Sequence, residues 1–147
     1  MKLRVDILKP INAPNGSVPL TRLAAVRANY ARIAAKNRER SDGWMAARRA
    51  LCTLPCDANG RVSFTPTAYK IIWPFKGTMP DADNVVARMK HILDGCAMAF
   101  DINDRDLDLL GVERLHVSKK NPHPVFSAEY CYLVFTDSYD DEQTPDK

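Results

Sequence analysis

Residues 68–95 read AYKIIWPFKGTMPDADNVVARMKHILDG. The first eight, Ala68 to Phe75, are rich in β-branched and aromatic side chains (Tyr69, Ile71, Ile72, Trp73), the composition of a central strand. Pro74, Lys76-Gly77 and Pro80 close it. Asp81 and Asp83 then stand where a helix should begin, and that helix should run to about Leu93, with Gly95 near its end. On a helical wheel with about 100° per residue, Ala87, Lys90 and Asp94 fall on the stripe of Asp83. Val85, Met89, Ile92, Leu93 and Cys96 gather on the opposite side, which therefore faces a core.

The rest of the chain extends this pattern in both directions. Leu3, Val5 and Ile7 alternate with Lys2, Arg4 and Asp6, as in a half-buried strand. Pro10 to Pro19 is rich in loop formers. Leu20 to about Arg40 favours helix, Ser41-Asp42-Gly43 reads as a break, and Trp44 to Leu51 resumes helical character. Residues 52–60 end in Asn59-Gly60, a hairpin signal before a short strand from Arg61 to Phe64. Val112 to Val117 and Ser127 to Thr136 read as strands, the second the clearest in the chain. Residues 138–147 are acidic and polar, the composition of a disordered tail. The order predicts one domain over residues 1–137, a small α/β or α+β fold with a mixed sheet packed against two helical regions.

The 147 residues suit one domain, and no run of eighteen apolar residues occurs that could span a membrane. The N-terminus lacks the apolar segment of a signal peptide, so a cytoplasmic protein is expected. Cys52, Cys56, Cys96 and Cys131 match no zinc spacing and read as free thiols. Trp44 and Trp73 read as core residues rather than base-stacking ones. Net charge is only +3, yet residues 1–50 carry +8 and residues 81–147 carry −7. Such a split suits a protein that attracts phosphates with one part and holds a cation with another, and equally suits two solvated faces. Arg27, Arg32, Lys36, Arg38 and Arg40 are the candidate phosphate contacts.

Carboxylates at i and i+2 before a helix, joined by a third from another segment, can supply the oxygen ligands of a hard cation such as Mg²⁺. Asp104, within Asp101-Ile102-Asn103-Asp104-Arg105-Asp106, is a candidate third. The competing structural role for Asp81 or Asp83 is simpler: an N-cap whose side chain satisfies free helix N–H groups.

Asp81-Ala82-Asp83-Asn84, then Lys90, Leu93-Asp94-Gly95 and Ile102-Asn103-Asp104, resembles the RusA family of Holliday-junction resolvases, in particular its phage and prophage versions. The resemblance spans about residues 69–117. It implies that Asp81, Asp83 and Asp104 are metal-binding catalytic carboxylates using Mg²⁺ or Mn²⁺, with Lys90 beside them and Asn84 supporting the turn. It also implies a homodimer that cuts four-way DNA junctions by symmetric hydrolysis. Two departures stand out. Asn103 replaces the first acid of the family's acidic pair, and Ala87 stands where the founding member has its helix lysine. A protein that binds branched DNA without cutting it, and a domain whose acidic helix is only a solvated face, are the other readings.

Overall fold

The computed structural model describes residues 1–10 and 21–137. The expected loop from Pro10 to Pro19 therefore falls almost wholly outside the described residues, as does the acidic stretch 138–147. Four strands and two long helices form an α+β domain: β1 (Lys2–Leu8), α1 (Arg22–Leu51), β2 (Ala68–Phe75), α2 (Ala82–Ala99), β3 (Asp108–His116) and β4 (Tyr130–Thr136). A one-turn 3₁₀ segment, Asp104–Asp106, links α2 to β3.

The sheet order is β1-β4-β2-β3. β4 runs antiparallel to both β1 and β2, and β3 runs parallel to β2. Three strands, β1, β2 and β3, thus point the same way. Their carboxyl ends (Leu8, Phe75 and His116) share one edge of the sheet, and their starts share the other. β2 is buried at seven of its eight positions, as a strand flanked on both sides and covered should be. In β3 the register against β2 shifts by one residue at Leu110, and Gly111 there has φ +159°, a bulge.

The core joins Val5, Ile71, Leu133 and Phe135 of the sheet to Val85, Met89, Ile92 and Cys96 of α2. Three of the expectations change. Arg61 to Phe64 forms no strand; Asn59-Gly60 lies in a turn closed by Asp57, whose carboxylate accepts from the N–H groups of Asn59 and Arg61. α2 continues past Leu93 to Ala99. α1 is one helix of 30 residues without a break at Ser41-Asp42-Gly43.

Both of those helix differences have one cause. A Cβ on Gly43 would lie 2.2 Å from the Ile92 carbonyl oxygen, and one on Gly95 would lie 1.9 Å from that of Arg40. The two glycines let the backbones of α1 and α2 touch. Glycine in a helix interior costs about 1 kcal/mol relative to alanine, and close packing between helices offsets it. The Cys96 thiol also donates to the Gly43 carbonyl at 3.4 Å. Residues that read locally as helix breakers are thus the contact point of two uninterrupted helices.

Candidate functional site

Arg114, on β3, donates from Nη1 to the Pro80 carbonyl at 3.0 Å, which anchors the turn leading into α2. Asp81 occupies the N-cap position with extended backbone, φ −66° and ψ 141°, but its carboxylate makes no capping hydrogen bond. The contrast inside the same molecule is direct. Thr21 caps α1 through its hydroxyl, and Asn103 caps the 3₁₀ turn through its side-chain oxygen. Asp83, in the first turn of α2, is exposed. Among the described residues, neither carboxylate has an ion-pair partner within 4 Å. The purely structural role expected of an N-cap aspartate is therefore not the role its side chain plays.

Both aspartates follow β2 at the carboxyl end of the sheet, and basic residues follow the strands at that same end. Lys9 and Lys76 directly follow the ends of β1 and β2, and Lys119 and Lys120 follow β3. Arg88 and Lys9 lie over the buried Trp73 ring, at 4.9 and 4.8 Å from its centroid. Burial lowers the pKa of Lys9, countered by Cys131 and reinforced by the charges of Arg88 and Lys76. Arg88 also donates to the Pro10 carbonyl at 3.1 Å, while its Nε has no hydrogen-bond partner among the described residues. Trp73 is core, as expected. Trp44 is not: it is 40% exposed on α1, with the Arg48 guanidinium 5.7 Å from its ring.

The other predicted residues separate. Lys90 is exposed and lies two turns into α2, about 10 Å along the axis from Asp83. Asp94 pairs with Arg40 of α1 at 3.7 Å, and His91 Nδ1 lies at the same distance from its carboxylate. Arg40 thus stands beside an acidic residue at the helix crossing, its side chain still 42% exposed. Arg27, Arg32, Lys36 and Arg38 are exposed on the part of α1 that precedes the crossing.

Asp104 stands beyond the opposite end of α2, a helix of 18 residues and therefore about 27 Å long. It lies near Tyr69 at the start of β2, where burial chiefly, and then the Asp104 charge, raise the tyrosine pKa. The trio Asp81, Asp83 and Asp104 is therefore not assembled within one chain. Among the described residues no three His, Cys, Asp or Glu side chains stand close enough to hold an ion. The helix geometry gives the reason: residues 21 apart, with α2 between them, lie at opposite ends of a rod.

Asp104 instead lines an open concavity of about 570 Å³ with Asp94, Asp101, Asp106 and Arg40. Asp101 has its own structural duty there. At φ 58° it takes the left-handed position that ends α2, while the Ile102 N–H reaches back to the Ala97 carbonyl and its own N–H to that of Met98. The sheet thus has a basic carboxyl edge carrying Asp81 and Asp83, and an acidic amino edge carrying Asp101, Asp104, Asp106 and Asp108. Sequence reading missed Lys9, Lys76, Arg88, Arg114, Lys119 and Lys120. For the four lysines the signal was position just beyond a strand, which gains meaning only once the strands are known to be parallel; Arg88, inside α2, and Arg114, inside β3, gave none.

No family model, no curated protein and no solved structure matches this chain. No helix among the described residues is long and apolar enough to cross a membrane.

Proposed function

We propose that this protein is a divalent-ion-dependent endonuclease acting on branched DNA, with Asp81 and Asp83 as its central acidic pair. The observation that carries this reading is the idle carboxylate of Asp81 at the start of α2, beside an exposed Asp83, at the sheet end where Lys9, Lys76, Lys119 and Lys120 follow the strands. In open α/β sheets, ligands bind in the crevice outside the carboxyl ends of the strands. The lysines there attract phosphodiester oxygens, and the two aspartates supply the hard oxygen ligands that Mg²⁺ or Mn²⁺ prefers. Arg27, Arg32, Lys36 and Arg38 extend the basic surface along α1. The resemblance to RusA-type resolvases supplies the substrate class, a four-way junction, and the homodimer.

Among the described residues no third ligand joins Asp81 and Asp83, so no catalytic step is assigned to the ion. The same observation favours a second reading, in which the protein holds branched DNA without cutting it. One experiment separates them. A synthetic four-way junction is incubated with the protein and Mg²⁺ or Mn²⁺, with an EDTA control. The nuclease reading expects cutting that EDTA abolishes, and an Asp83→Asn variant that binds the junction at least as tightly yet cuts on the order of 10²-fold more slowly. Binding without cutting under either ion establishes the second reading, and equal affinity for junction and plain duplex removes both.

A further inference from the structure

We propose that the amino-terminal half of α1, from Arg22 to Asn37, is a docking seam for an acidic amphipathic helix of a different protein. The seam is independent of the nuclease reading.

Its residues follow heptad spacing. Leu23, Val26, Tyr30 and Ile33 succeed one another three, four and three positions apart. At about 100° per residue they share a stripe about 80° wide along the helix. All four are exposed, at 60%, 43%, 69% and 46%. Between Arg22 and Asn37 the residues that are not exposed are Ala28 and Ala35, which lie on the side of the helix opposite that stripe. α1 therefore leans on its own domain through small alanines and turns its large side chains outward. Single exposed apolar residues are ordinary, but a contiguous row of them rimmed by charge marks an interaction surface.

Shape and charge select the occupant. A strict two-in-seven stripe is the seam of one helix against another, whereas a helix that lies in a lipid surface presents a broader apolar face. Leu23, Tyr30 and Asn37 share one heptad position, and Val26 and Ile33 share the other. A polar residue such as Asn37 at a seam position sets register. The positions flanking the stripe, where coiled coils choose partners by charge, hold Arg22, Arg27 and Lys36 and no acid. From Arg22 to Arg38 the chain has five basic residues and no Asp or Glu. A second copy of this seam would set like charges together in either orientation, so the occupant is not this chain. DNA would meet the arginines and leave the apolar row in water. A helix with leucine or isoleucine in its seam and glutamate on its flanks matches both features. Docking also supplies the tertiary support that this half of α1 lacks, because its residues before the crossing bury little against the domain.

The test uses the full chain and two synthetic peptides of about 21 residues. Both carry isoleucine and leucine at the seam positions; one has glutamate on the flanks and the other lysine. In fluorescence anisotropy the glutamate peptide should bind at least about tenfold more tightly than the lysine peptide. Leu23→Gln combined with Ile33→Gln should weaken that binding by about tenfold or more. The double variant should keep the wild-type melting temperature, because both side chains are exposed. Amides of residues 25–36 should exchange more slowly in the presence of the glutamate peptide. No binding, equal binding of the two peptides, or binding that the double variant leaves unchanged overturns the proposal. Two other occupants overturn it as well. Dimerisation in sedimentation velocity that the double variant abolishes assigns the seam to a second copy. Binding to vesicles of phosphatidylcholine and phosphatidylserine that exceeds peptide binding and is lost in the double variant assigns it to a lipid surface.

Discussion

Gly95 shows how much one missing side chain can carry. The Arg40 carbonyl oxygen occupies the space where its Cβ would be, so Gly95→Ala must push two backbones apart. Overpacking at a site where only backbone can move should cost about 3 kcal/mol, read as a lower urea midpoint with unchanged slope. Glu39, four residues before Gly43, responds to pH. Burial chiefly raises its pKa above 4.5, opposed by His91 and Arg88 and assisted by Asp42. An acid with a raised folded pKa penalises the native state once both states are ionised, and the penalty disappears as pH falls below the unfolded value. Glu39→Gln should therefore raise the melting temperature at pH 7, and the difference from wild type should vanish below about pH 4. Asp101 and Asp81 complete the residue picture in opposite ways. The first has a structural duty, to end α2, while the second holds a structural position without performing its usual task.

At the scale of elements, α1 divides into two halves with different support. Its only buried residues are Gly43 and Ala47, both at or after the crossing with α2. Before the crossing, Leu23, Val26, Tyr30 and Ile33 are exposed at 43% to 69%. Helices draw most of their stability from tertiary packing, and this half has little. In hydrogen exchange, amides of residues 25–36 should exchange on the order of 10²-fold faster than those of residues 43–50. A wholly helical α1 with uniform protection counters this. The elements themselves were legible where the apolar period was strong: β1, β2 and the first three turns of α2 stand where their patterns put them, and β4 does so from Tyr130, three residues after its expected start. The break expected at Ser41-Asp42-Gly43 and the early end expected for α2 failed for one reason. Glycine propensity is local, and the contact that makes these glycines useful comes from a helix 50 residues away.

The whole molecule is polar in the electrical sense, with a basic carboxyl edge and an acidic amino edge on one sheet. Branched-DNA binding through the basic edge should release counterions, so affinity should fall on the order of 10²-fold between 50 and 200 mM salt for about four phosphate contacts. Replacing Lys119 and Lys120 together with alanine should flatten that dependence, and Arg40→Ala should leave it unchanged, because Arg40 lines the acidic concavity with Asp94 and Asp104, away from the basic edge. The sequence by itself determined the α+β class, the central strand, the amphipathic α2 and the acidic entrance at Asp81 and Asp83, because periodicity and helix signals act over a few residues. Only the tertiary structure decided that Asp81 does not use its carboxylate as a cap, that four further lysines share its edge, and that Asp104 stands at the far end of α2. Parallel strands bring together residues that follow different strand ends, and a rigid helix keeps apart residues that a linear motif sets side by side. Neither effect is written in spacing along the chain.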